Sequence, residues 1–84
     1  MIDVGKIVEI DGIEGVICFS SFYNDKLYVN ICFESKGKSK YEIYEVRNID
    51  GKIAFVLEQD PKILSQLVYE FTMDAINEDM KEGD

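Results

Sequence analysis

The sequence predicts an α+β domain: a five-stranded antiparallel meander, as a curled sheet or a small SH3-like barrel, followed by one C-terminal helix. Three observations predict it. Apolar residues recur at strand spacing between residues 6 and 57; turn-forming pairs interrupt them at Asp11-Gly12, Asn24-Asp25 and Asp50-Gly51; and the spacing becomes helical beyond Asp60-Pro61.

The central element is the hairpin from Val16 to Phe33, VICFSSFYNDKLYVNICF. Asn24 and Asp25 tolerate the positive φ values that a two-residue hairpin loop requires. With that loop, Tyr23 faces Lys26, Phe22 faces Leu27, Ser20 faces Val29, Cys18 faces Ile31 and Val16 faces Phe33. One face then carries Val16, Cys18, Phe22, Leu27, Val29, Ile31 and Phe33, and the other carries Ile17, Phe19, Tyr23, Tyr28 and Cys32. Neither face is polar, so the pair is expected in the middle of the sheet, covered on both sides. In this register Cys18 and Cys32 point to opposite faces, and two buried thiols are expected unless a slip or bulge intervenes.

Before the hairpin, Ile7 to Ile10 forms a short strand that the Asp11-Gly12 turn leads into Val16. After it, the segment from Glu34 to Lys40 is polar and lysine-rich and reads as a loop, with Tyr41 to Val46 as the fourth strand. The fifth runs from Lys52 to Leu57. An Asp50-Gly51 loop sets Val46 against Phe55 and Tyr44 against Leu57.

Asp60 is a good N-cap and Pro61 suits the first helical position, so a helix is predicted over residues 61 to 78, with an acidic tail over 79 to 84. All 84 residues form one domain. At about 100° per residue, Leu64, Val68, Phe71 and Ala75 share one direction, whereas Tyr69, Met73, Ile76 and Met80 cluster about 150° away. The first row is expected on the sheet. The second is left for a contact with another chain, beside an acidic ridge of Glu70, Asp74 and Glu78.

Composition narrows the function classes. The chain carries 17 acids against 9 bases and no histidine, a net charge of -8 with the acids concentrated after residue 69. That balance disfavours nucleic-acid binding, which needs bases to displace counterions, and suits a basic protein partner. Lys36, Lys38 and Lys40 read as a solubilising loop tip. Without histidine the commonest general base and metal ligand is missing, so no enzyme, metal or cofactor is expected. No apolar run is long enough for a membrane span, and a reducing cytoplasm is the expected compartment.

The runs GKIVEIDGIEGVICF, FYNDKLYVNICF and NIDGKIAFVLEQDPKILSQLVYEF, across about residues 5 to 71, resemble a family of small acidic, largely uncharacterised proteins of Firmicutes and their phages and mobile elements. In that family, short strands separated by DG or NG turns precede one terminal helix. Here Asn24-Asp25 stands in place of a Gly-containing turn, and Ser20-Ser21 interrupts an apolar strand. The resemblance implies the same architecture and, for a phage-type origin, a host protein as partner; it supplies no site residues.

The functional expectation is a non-enzymatic protein-binding module, a homodimer through Tyr69, Met73, Ile76 and Met80. Through Glu70, Asp74 and Glu78 it would inhibit a host nucleic-acid-handling or defence protein by occupying its basic surface. The alternative is a small-molecule binding or sequestering oligomer, its site lined by Tyr28, Tyr41, Tyr44 and the Lys36 loop. A structural subunit of a larger assembly is a third reading.

Overall fold

A computed structural model describes the backbone of residues 3–82 and the side chains of residues 3–76. Five strands, β1 (Ile7–Ile10), β2 (Ile13–Tyr23), β3 (Lys26–Ser35), β4 (Lys38–Ile49) and β5 (Lys52–Leu57), precede one helix, α1 (Pro61–Glu82). The strands pair antiparallel in sequence order and curl into a nearly closed, barrel-like sheet. The α+β meander expected from the sequence is therefore the fold.

Four two-residue turns produce it. Both central residues have positive φ at Asp11-Gly12, Asn24-Asp25, Lys36-Gly37 and Asp50-Gly51. This is the turn whose twist matches that of the flanking strands. Lys36-Gly37 corrects the expected seven-residue loop: β3 continues to Ser35 and β4 begins at Lys38. The lysines are polar strand residues on a long hairpin arm, and polarity alone does not end a strand.

The central register also needs one correction. Tyr23↔Lys26, Phe22↔Leu27 and Ser20↔Val29 pair as expected, but a β-bulge between Ile17 and Phe19 makes Ile17 the partner of Ile31 and Val16 that of Cys32. One extra residue in β2 moves everything N-terminal of it to the opposite face. Ile17 thereby joins Val29, Ile31 and Tyr44 in the core inside the curl, where Val8, Ile10, Phe33, Val46 and Phe55 pack against them. Gly15 is required here. A Cβ on it would lie 2.6 Å from Ile31 Cγ2 and 2.8 Å from Phe33 Cε1.

The outer face of the sheet is covered by α1. Tyr28, Ile43, Leu67 and Phe71 form a second core, with Phe19, Tyr23, Ile63 and Leu64 around it. The rings of Phe19 and Phe71 stack with centroids 5.7 Å apart. Burying Leu67 and Phe71 contributes about 2 to 3 kcal/mol each. Val68, expected on this row, is exposed. The buried row is centred on Leu67, and one residue further along the helix is a rotation of about 100° toward solvent.

Local polar contacts tie the helix start to the sheet. Asp60 Oδ1 accepts from Lys62 N at 2.9 Å, the expected N-cap. Glu58 Oε2 accepts from the amides of Gln59 and Asp60, and its Oε1 accepts from the Tyr28 hydroxyl at 3.2 Å. At the other end the helix runs to Glu82 rather than stopping near residue 78. From Asn77 to Glu82 the sequence holds neither proline nor glycine to stop it.

Candidate functional site

Three regions carry the functional candidates, and the outer flank of α1 is the first. Tyr69, Met73 and Ile76 lie roughly 120 to 180° around the helix from Leu67. They are 61%, 39% and 46% exposed, and Val68 joins them at 54%. Thr72 Oγ1 donates to the carbonyl of Val68 at 2.7 Å, so its hydroxyl is satisfied within the helix and does not break the strip. The expected outer row is brought together as far as Ile76; the side chains of Met80 and Glu78 lie outside the described residues.

The acidic ridge is less uniform than its spacing suggests. Glu70 is half-buried and accepts from Ser21 Oγ at 3.1 Å, so this carboxylate is partly committed to β2. Asp74 is exposed. Spacing of four along the helix places both on one side, but only the structure shows that Ser21 stands beside the first.

The second region is a cleft of about 1000 Å³ at one mouth of the curled sheet. Phe33, Tyr44 and Phe55 give it an aromatic floor, and Ile10, Ile13 and Leu57 extend the apolar wall. Lys36, Lys38 and Lys40 line its rim beside Glu34, Glu42 and Asp11. Within it Lys40 Nζ lies 2.8 Å from Glu42 Oε1, and the Tyr44 hydroxyl donates to Glu42 Oε2 at 3.3 Å. Burial, then the charge of Glu42, raises the Tyr44 pKa, so the phenol stays a donor at neutral pH. Of the tyrosines expected around such a site only Tyr44 belongs to it. Tyr28 is buried under α1, and Tyr41 lies exposed on the other side of β4; strand alternation separates Tyr41 from Tyr44.

The third region is the bulge. It replaces the register expected to point Cys18 and Cys32 apart: Cys32 now pairs with Val16, Cys18 sits in the bulge with its Sγ donating to the Val16 carbonyl at 3.6 Å, and both are free thiols. Burial, and then the neighbouring Cys32, raise the Cys18 pKa, so this sulfur is less nucleophilic than a free cysteine at neutral pH. Among the described residues no three acidic or cysteine side chains gather as metal ligands, and no helix is long and apolar enough to cross a membrane.

Comparison with protein-family models, with curated proteins and with solved structures found no match to this chain.

Proposed function

We propose that the chain is a non-enzymatic protein-binding module that docks another protein on the outer flank of α1. One observation carries this reading: Val68, Tyr69, Met73 and Ile76 are 39 to 61% exposed along about 12 Å of helix, and among the described residues no other element lies over them. A methionine and a tyrosine suit such a contact, the first by adapting its shape and the second by combining apolar area with a polar tip. The net charge of -8 favours a basic partner surface. Two copies paired through the strip would instead bring acids of both helices close together. In its specific form the reading is an inhibitor covering the basic groove of a nucleic-acid-handling or defence protein, with Asp74 and the exposed part of Glu70 beside the apolar contact. The test is affinity capture with the wild type and with Met73→Asp/Ile76→Asp as baits. The reading expects a partner of basic surface on the first and its loss on the second, with the helical circular dichroism of both baits equal. Equal recovery on both baits would remove the strip from the interface.

The cleft favours a second reading, a small-molecule site. Its aromatic floor and charged rim suit an amphipathic ligand that stacks on Phe33 or Phe55 and bonds the Tyr44 hydroxyl. A nucleotide and metabolite panel that leaves the melting midpoint unmoved at every concentration would sink it.

A further inference from the structure

β1 and β5 end the strand order, so among the described residues each presents one edge without a neighbouring strand. The turn at Asp50-Gly51 makes Ile49 and Lys52 a hydrogen-bonded pair. Ladder alternation then aims the backbone groups of Ala54 and Val56 at β4 and those of Ile53, Phe55 and Leu57 outward. The bond from Glu58 N to Ile43 O, 3.0 Å, fixes that phase. Folded proteins usually blunt such edges with charge, proline or a bulge. β1 does: its outward backbone belongs to Ile7 and Glu9, and a carboxylate stands at the second. β5 does not. Its last five residues, Ile53 to Leu57, are apolar, and Ile53 and Leu57 are 57% and 41% exposed.

From this we infer that β5 pairs with β5 of a second copy, antiparallel about a two-fold axis at Phe55, so that two meanders join into one continuous sheet. The edge is most fully self-complementary in this register. Ile53 falls opposite the partner's Leu57, Phe55 opposite the partner's Phe55, and Lys52 opposite the partner's Glu58, so opposite charges close both ends of an apolar seam. Three outward residues from each copy exchange about six backbone hydrogen bonds. An axis one residue away, at Ala54 or Val56, still pairs outward amides but sets Leu57 against the partner's Gly51 or Ile53 against the partner's Gln59, and faces Lys52 with Val56 or Asp60 instead of Glu58. Moving the axis by two would set Phe55 against the partner's Gly51 or Gln59 and separate Lys52 from Glu58. The helix lies over β2, β3 and β4, so the seam leaves the strip of Val68, Tyr69, Met73 and Ile76 open on each copy.

Light scattering and sedimentation over a concentration series test the seam on the wild type, Ile53→Pro, Lys52→Glu and Met73→Asp. The wild type should reach twice the 9.7 kDa chain mass. Ile53→Pro removes an outward N–H that β4 does not use and should return the single-chain mass. Lys52→Glu, an exposed change that threatens no core, should weaken association by at least about tenfold through repulsion from the partner's Glu58; it decides the matter if the proline variant fails to fold. Met73→Asp should remain dimeric. A wild type of single-chain mass at every concentration overturns the inference, as does a dimer indifferent to both β5 changes or one dissolved by Met73→Asp.

Discussion

Arg47 grips Glu45 with two hydrogen bonds, Nε to Oε2 at 2.7 Å and Nη2 to Oε1 at 3.1 Å, two positions apart on the same face of β4. Lys26 approaches the same carboxylate from β3, with Nζ 3.8 Å from Oε1. Glu45 is the buried charged residue of the described chain, and this clasp makes its burial tolerable.

The bonds from Arg47 hold the Glu45 carboxyl below its usual range against the upward push of burial, with the charges of Arg47 and Lys26 adding to them. A depressed folded pKa gives stability that is present above the unfolded value near 4.5 and lost as pH falls through the lower folded value. Urea denaturation of the wild type and Glu45→Gln should therefore differ most near neutrality and converge in acid. A gap that is constant with pH would show that the charge of Glu45 is not what the clasp uses.

At the alkaline end the group to watch is Tyr28. Burial, followed by its hydrogen bond to Glu58, pushes its pKa up to about 12. A raised folded value means stability that is complete below the unfolded value of 10.0 and declines as pH rises toward about 12. Tyr28→Phe should cost about 1 kcal/mol at neutral pH and flatten that alkaline decline. Denaturation curves across this window check it.

Gly15→Ala should destabilise the domain by about 1 to 3 kcal/mol, because Ile31 and Phe33 occupy the space its methyl needs. The loss should appear as a lower denaturation midpoint with an unchanged slope. A neutral result would mean the inner core can give way at this point.

Lys36 holds φ at 52°, a conformation that a long side chain adopts at a cost. Lys36→Asn places the preferred Asn-Gly pair in the turn and should stabilise by up to about 1 kcal/mol. Thermal melts of the two proteins decide it, and a lower midpoint in the variant would contradict the turn geometry.

Much of this architecture could be read from residue order because three of the four turns announce themselves with Asp-Gly or Asn-Asp. The Lys36-Gly37 turn was hidden by charge on both flanks, where solvent-exposed strand arms look like a loop. The bulge was hidden for a different reason. Val16, Ile17, Cys18 and Phe19 are all apolar, so alternation does not say which of them faces in, and the choice is made across the curl by Ile31 and Phe33. On the helix the outer strip was legible from spacing alone, whereas the exact rotation was not. Val68 and Leu67 are equally apolar, and Phe19 and Tyr28 on the sheet select Leu67. The cleft could not be read from one strand at a time, since Ile10, Phe33 and Phe55 meet only when the sheet bends.

Each strand meets its successor after only two intervening residues, which has a consequence for how the chain acquires its shape. Pairing can proceed as a zipper of short loop closures, each beginning from a turn already biased toward the right twist. The distant event is the arrival of Leu67 and Phe71 over Tyr28, some forty residues away in the chain. Refolding should then show a quickly assembled sheet whose outer face waits, uncovered, for the last quarter of the polypeptide.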